Sequence, residues 1–194
     1  VHRGAESTMD ISADLTELGK TPVCVVSAGV KSILDVPRTL EVLETQGVPV
    51  AAFQTEEFPA FFTADSGVKA PMTLYSAEEA ARMISACGAL GMRTGSLVAV
   101  PPPQAIRPPG LDAAVSKALQ EADAQKVSGA EVTPFLLRRV RELTGGASQQ
   151  LNVDLVKTNA EVAANIAVEL ARLEGYEPHV YMGEGGSSSP KGPV

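Results

Sequence analysis

The stretch Thr21-Pro22-Val23-Cys24-Val25-Val26-Ser27-Ala28-Gly29-Val30, closed by Lys31, decides the fold. A short apolar run without polar alternation, bounded by proline and glycine, reads as a strand buried on both faces of a parallel sheet. It delivers one amine, Lys31, to the carboxyl edge of that sheet. Ser32 to Gln46 comes next, with Ile33, Leu34, Val36, Leu40 and Leu43 at helical spacing, and Pro37 is tolerable only in the first turn. Gly47 stops that helix, and Val48-Pro49-Val50-Ala51-Ala52-Phe53 reads as a second strand. A strand, helix and strand in this order form a right-handed βαβ unit with parallel strands. The expected class is therefore α/β, a layered α-β-α arrangement around a mainly parallel sheet.

Working outward, Gln54 to Thr73 is irregular, apolar and punctuated by proline, as in Phe58-Pro59-Ala60-Phe61-Phe62. A connection of that length is a candidate functional loop. Ser76 and Glu79 form a capping box for a helix through Ala80, Ala81, Met83 and Ile84 towards Gly88. Ser96-Leu97-Val98-Ala99-Val100 reads as a third strand, ended by Pro101-Pro102-Pro103. Leu111 to Lys126 is Ala-rich and helical. Gly129 separates it from Thr133-Pro134-Phe135-Leu136-Leu137, where Thr133 at N-cap and Pro134 at N1 mark another helix start. Gly145-Gly146 ends that helix. A last helix spans about Leu151 to Leu173, with Val153, Val156, Ala160, Ala164, Ala167 and Leu170 among its expected buried positions. Beyond Gly175 the chain turns Gly-, Ser- and Pro-rich, and Gly183 to Val194 reads as a disordered tail or linker.

The totals narrow the function. A length of 194 residues at 44% hydrophobic content suits one domain with a substantial core. A net charge of −7 argues against a nucleic-acid surface, which needs a concentrated basic face. A small anionic substrate stays compatible, because one lysine and a few helix N-termini create a local positive site. Cys24 and Cys87 lie in apolar segments and form no CxxC pair, which reads as core packing in a reducing, intracellular compartment. No apolar stretch reaches membrane-spanning length. The chain opens at Val1, without Met, directly into motif-like sequence, so the missing targeting signal carries no weight.

The chemistry concentrates between His2 and Lys31. An amine at a strand end is a nucleophile for a sugar aldehyde once it is deprotonated, and the resulting imine is an electron sink. Lysines in such places also bind phosphate by charge alone. A solvated lysine fits less well there, because the positive end of the next helix dipole repels a cation unless an anion sits nearby. Asp10, Ser12 and Asp14 place two carboxylates and a hydroxyl within five residues. They suit a hard divalent cation, a phosphate or ribose hydroxyls, and equally suit helix capping. His2 and Arg3 could meet a phosphate or stay solvated. His179 is the only other histidine, which leaves no zinc set. Asn152 and Asn159 fit either caps or ligands. Gly145-Gly146 reads as a helix stop rather than a phosphate loop.

Taken together, His2-Arg3-Gly4-Ala5, Asp10-Ile11-Ser12-Ala13-Asp14-Leu15 and Ser27-Ala28-Gly29-Val30-Lys31-Ser32-Ile33-Leu34-Asp35 closely resemble the pseudouridine-5'-phosphate glycosidase (indigoidine synthase A-like) family. So do Leu43-Glu44-Thr45-Gln46-Gly47-Val48-Pro49, Thr133-Pro134-Phe135-Leu136-Leu137 and Glu142-Leu143-Thr144-Gly145-Gly146-Ala147-Ser148 with Asn152 just beyond. The blocks keep their order from Val1 to about Gly175. The resemblance implies reversible cleavage of the carbon–carbon glycosidic bond of pseudouridine 5'-phosphate to uracil and ribose 5-phosphate, with a divalent metal, usually Mn2+. It makes Lys31 the imine-forming nucleophile, Asp10 the metal ligand, and Ser12, Ala13 and Asp14 a substrate-binding segment. His2 and Asn152 are further site candidates, and the implied assembly is a homotrimer.

The same resemblance marks a departure. The family's N-terminal portion, which carries a glutamate proton donor and another substrate-binding lysine, has no counterpart here. Residues 1–175 are thus expected to be the C-terminal part of a glycosidase domain, incomplete relative to the family fold, and residues 176–194 a divergent tail. A chain with an incomplete site is expected to lack substantial activity alone. Two other readings stand beside it: another imine-forming sugar-phosphate lyase, and a non-catalytic oligomerisation or regulatory fragment.

Overall fold

The computed structural model describes residues 1–63, 66–103, 109–127 and 131–176. Four strands form one sheet: β1 (Cys24–Ser27), β2 (Val50–Phe53), β3 (Thr73–Leu74) and β4 (Ser96–Ala99). Their spatial order is β1-β4-β2-β3, and every pairing is parallel. Seven helices accompany them among the described residues: α1 (Ala5–Thr8), α2 (Ala13–Leu18), α3 (Val36–Thr45), α4 (Ala77–Ala89), α5 (Leu111–Ala124), α6 (Val132–Leu143) and α7 (Ala147–Leu173). None of these helices is long and apolar enough to cross a membrane.

The period-2 alternation of the central strands builds the layers. Leu97 and Ala99 of β4, with Val50 and Ala52 of β2, face Leu15, Val36 and Leu43 of α2 and α3. Val98 and Ala51 point the other way, to Ala80 of α4 and Ile166 of α7. At one end, Ala28, Ile33 and Phe62 join Leu111, Leu136, Val140, Leu151 and Leu155 of α5, α6 and α7. The expected α-β-α sandwich is therefore present.

Several boundaries differ from expectation, each for a local reason. The first helix of the βαβ unit begins at Val36 and not Ser32, because the Asp35 carboxylate accepts from the Arg38 amide at 3.0 Å and Pro37 occupies the first turn. Residues Lys31 to Leu34 form a turn instead, with the Leu34 amide donating to the Lys31 carbonyl at 2.8 Å. The helix placed at Thr133 begins at Val132 after Glu131, which puts Pro134 in its first turn. The two strands of the βαβ unit are parallel but are not neighbours, since β4 lies between them. β1 is consequently an edge strand, and the burial expected of it is incomplete: Val23 is 53% and Val25 38% exposed.

The expected face of α7 is also corrected. Leu151, Leu155 and Ile166 are buried, whereas Val153 and Val156 are exposed together with Ala160, Ala164 and Ala167, and Leu170 is half-buried. The apolar stripe read from spacing is real, but a second stripe on another side of the helix wins the core. Gly129, His179 and the Gly183–Val194 tail lie outside the described residues.

Candidate active site

β1 hands the chain to Ala28 and Gly29, and a long-range clamp fixes the turn beyond them. Gly29 pairs in an antiparallel bridge with Ala60, and the Phe61 amide donates to the Ala28 carbonyl at 2.9 Å. Gly29 has φ +82°, and a Cβ there would stand 1.8 Å from the Pro59 carbonyl oxygen. Only glycine permits both the left-handed backbone and that approach. The clamp belongs to the long Gln54–Thr73 connection, whose Phe58, Pro59, Ala60 and Phe62 are buried. That loop thus holds the Lys31 turn against the core.

Lys31 is half-buried and lines a small crevice with Ser32, Ile33, Phe62, Leu136, Leu137 and Val140. Apolar walls from α6 and the clamp limit water around its stem. The residues Val1 to Arg3 run beside this turn. The Asp35 amide donates to the Val1 carbonyl at 3.0 Å, and the Arg3 guanidinium donates to the Ile33 carbonyl at 3.0 Å and the Ser32 carbonyl at 3.3 Å. The Val1 nitrogen donates to Thr39 Oγ1 at 2.8 Å.

His2 then joins Asp10 to the group. The His2 amide donates to the Asp10 carbonyl at 3.1 Å, and His2 Nδ1 lies 3.7 Å from Asp10 Oδ2, beyond hydrogen-bond range. Three buried side-chain polar atoms lack a partner among the described residues, and two are here: His2 Nδ1 and Ser32 Oγ. The third is Asn159 Oδ1 on α7. An unsatisfied buried polar group costs about 1–3 kcal/mol, so each of these two atoms calls for a partner, whether water or a ligand.

The Ser12–Asp14 segment is neither wholly helical nor extended. Ser12 caps α2, accepting from the Asp14 amide at 3.3 Å while its hydroxyl donates to Asp14 Oδ2 at 3.0 Å. Capping leaves the segment accessible: Ala13 and Asp14 are exposed, and Asp14 lines a groove shared with Ser27, Gly29 and Val30. Asn152 is exposed on α7 and relates to the turn only through its neighbour Leu151, which packs in the cluster containing Ile33 and Phe62. Among the described residues no group of three or more His, Cys, Asp or Glu side chains is arranged to hold a metal. Asp10 and His2 make a donor pair at most. Ser32 and the Gly29–Pro59 clamp have no role that the sequence alone reveals. Ser32 reads there as a helix start, and contacts across some thirty residues leave no local signature.

The family profile of indigoidine synthase A-like proteins matches residues 1–169. A pseudouridine-5'-phosphate glycosidase of Arabidopsis thaliana is 54% identical over 175 residues, covering 89% of this chain and 53% of that protein. Among solved structures, the prealnumycin C-glycosynthase AlnA, in complex with ribulose 5-phosphate, superposes with a TM-score of 0.81 at 32% identity, covering 90% of this chain and 58% of the other. An indigoidine synthase A-like protein of Thermotoga maritima gives 0.75 at 36% identity, covering 88% and 56%. The chain spans little more than half the length of each. With the profile running through every segment that surrounds Lys31, the chain belongs to the indigoidine synthase A-like, pseudouridine-5'-phosphate glycosidase family of enzymes.

Proposed function

We propose that this chain supplies the nucleophile-bearing part of a pseudouridine-5'-phosphate glycosidase site, with Lys31 as the amine that attacks the ribose anomeric carbon. The observation that carries the reading is the convergence of the clamped Lys31 turn with Arg3, His2 and Asp10, where two buried polar atoms wait unpaired. A C-glycoside lacks the heteroatom leaving group that two carboxylates ordinarily protonate, so imine chemistry is the accessible route. The Lys31 nitrogen bonds to the anomeric carbon as the ring C–O bond opens and the ring oxygen takes a proton. The carbon–carbon bond to the base then breaks as the base carbon is protonated, leaving a Lys31 iminium that water hydrolyses to ribose 5-phosphate. By the family resemblance, the proton for the departing base carbon comes from a glutamate in the part of the family domain that this chain does not span. We therefore expect the chain alone to form the imine without sustained turnover.

Arg3 and Ser32 would orient the phosphorylated sugar, and Asp14 with the Ser12–Ala13 segment would meet its polar groups. A manganese ion fits the donor chemistry of the Asp10 carboxylate with the unpaired His2 Nδ1 beside it. When bound, such an ion would offset the substrate's negative charge. Assembly as a homotrimer belongs to the same proposal.

Borohydride trapping tests it. Ribose 5-phosphate plus borohydride should leave a reduced sugar adduct on the Lys31 peptide, lost in Lys31→Arg. An adduct elsewhere, or none, overturns the assignment, and steady uracil release overturns the expected inactivity. The ribulose 5-phosphate complex of AlnA favours a second reading, another imine-forming sugar-phosphate lyase. Preferential trapping of ketose over aldose phosphates would select it.

A further inference from the structure

The hydroxyls of Ser7, Ser12, Ser27, Ser66 and Ser76 each bond a group two or three residues away, as serine ordinarily does in turns and caps. Ser32 does not. It follows Lys31 in the Lys31–Leu34 turn, yet its Oγ is buried without a partner among the described residues. The acceptors around it are already engaged: the Lys31 carbonyl takes the Leu34 amide, and the Ser32 and Ile33 carbonyls take the Arg3 guanidinium. Ser32 and Lys31 instead share the small crevice whose other walls, Ile33, Phe62, Leu136, Leu137 and Val140, are hydrocarbon. Its volume is about 10 Å³, which suits one water molecule and is far too small for a sugar. The Ser32 hydroxyl and the Lys31 amine are the two polar side-chain groups its lining offers, the fewest that hold a water in place. The walls are firm, since Ile33, Phe62, Leu136 and Val140 are buried and the Phe62 ring packs edge-on against Phe61.

We propose that Ser32 holds in this crevice the water that hydrolyses the Lys31 iminium, and that its hydroxyl relays a proton from that water to the Lys31 nitrogen. The proposal rests on Lys31 as the imine-forming amine and adds the residue that releases the sugar from it. Hydrolysis joins the water oxygen to the anomeric carbon as the carbon–nitrogen π pair moves onto nitrogen. One water proton must then cross from that oxygen to the nitrogen, and both atoms sit on the same carbon. Direct transfer closes a strained four-membered ring, whereas a hydroxyl, donor and acceptor at once, widens the path to a six-membered one. The carbon–nitrogen σ bond next breaks with its pair left on nitrogen, and the remaining O–H pair becomes the aldehyde C=O. That second proton follows to nitrogen, so ribose 5-phosphate leaves carrying the water oxygen and Lys31 carries both protons. The hydrocarbon walls serve the same step, because they admit one placed water and exclude bulk solvent.

Oxygen exchange tests this with the whole chain and ribose 5-phosphate. Each cycle of imine formation and hydrolysis replaces the anomeric oxygen with one from isotopically labelled water, and the rate above that of Lys31→Arg counts those cycles. A borohydride pulse at equilibrium measures the iminium present. Formation and hydrolysis share one transition state, so Ser32→Ala should slow exchange by about tenfold or more while the trapped Lys31 adduct stays within about twofold. A change that merely misplaced Lys31 would lose both together. Val140→Ile keeps the hydroxyl but fills the crevice with a methylene, and it should slow exchange likewise. Unchanged exchange in Ser32→Ala overturns the inference and leaves Lys31 in its role, as does parallel loss of adduct and exchange, or slowing in Ser32→Ala with none in Val140→Ile. Absence of a Lys31 adduct from the unaltered chain overturns the reading beneath it and the inference together.

Discussion

β4 and β1 lie side by side in register, Cys24 against Ser96 through Ser27 against Ala99, and both carry short runs of small apolar residues. Every residue of β4 is buried, whereas β1 leaves Val25 at 38% exposure and only partly covers the rest. Composition does not separate them; neighbours do. β4 has β1 and β2 on its edges and helices on both faces, while β1 has one partner and one covered face. A strand's residues state how much burial they need, and the surrounding chain decides whether that need is met. The carboxyl end of β1 is different again, because the Phe58–Phe62 loop closes it.

The largest effect is expected at that closed end. Gly29→Val puts a β-branched side chain at φ +82° with its Cβ aimed 1.8 Å from the Pro59 carbonyl oxygen. Strain and collision together should cost about 4 kcal/mol or more, read as a collapse of the urea midpoint. A modest loss would mean that the Pro59 loop yields easily and does not fix the Lys31 turn.

Next comes a paired substitution across the groove. Leu43 is fully buried in the layer beneath it, and Leu43→Ala should cost about 2–5 kcal/mol. Val25→Ala, on the uncovered floor, should stay within about 0.5 kcal/mol in the isolated chain. Urea titrations of both variants measure the contrast. Equal costs would show that β1 is already covered in solution, and the distinction between the two strands would fail.

Much of this architecture is legible in the residues. The strand ending before Lys31, the Val48–Phe53 strand, the Ser76-capped helix and the Ser96 strand all arise from short-range pattern, and all are present. Strand order is not legible, because pairing of β1 with β4 joins residues about seventy positions apart. α7 misleads for a related reason: Val153, Val156 and Ala160 make as good a stripe as Leu151, Leu155 and Ile166, and only packing against α4, α6 and the sheet selects between them. At the site, Lys31, His2 and Asp10 are visible as residue types. The unpaired atoms on His2 and Ser32, which make the place distinctive, exist only after folding.

The smallest effect is a thiol's. Cys24 and Val25 are consecutive in β1, so their side chains leave opposite faces of the sheet, Cys24 towards Val98 and Ile166, Val25 into the open groove. Burial raises the pKa of the Cys24 thiol, a hydrogen bond with Ser96 opposing it. The folded state therefore holds that proton more tightly than the unfolded chain. The associated stability is whole below the unfolded thiol's pKa, near 9.0, and is lost as pH rises through the raised folded value. At pH 8, Cys24 in a Cys87→Ser background should react with a thiol reagent several-fold more slowly than the thiol of Val25→Cys in a Cys24→Ser, Cys87→Ser background, because both thiolate fraction and access are smaller. The gap should narrow with rising pH, as ionisation catches up and only access still differs. Matching rates at pH 8 would place both faces of β1 in water and remove the contrast between its covered and open faces.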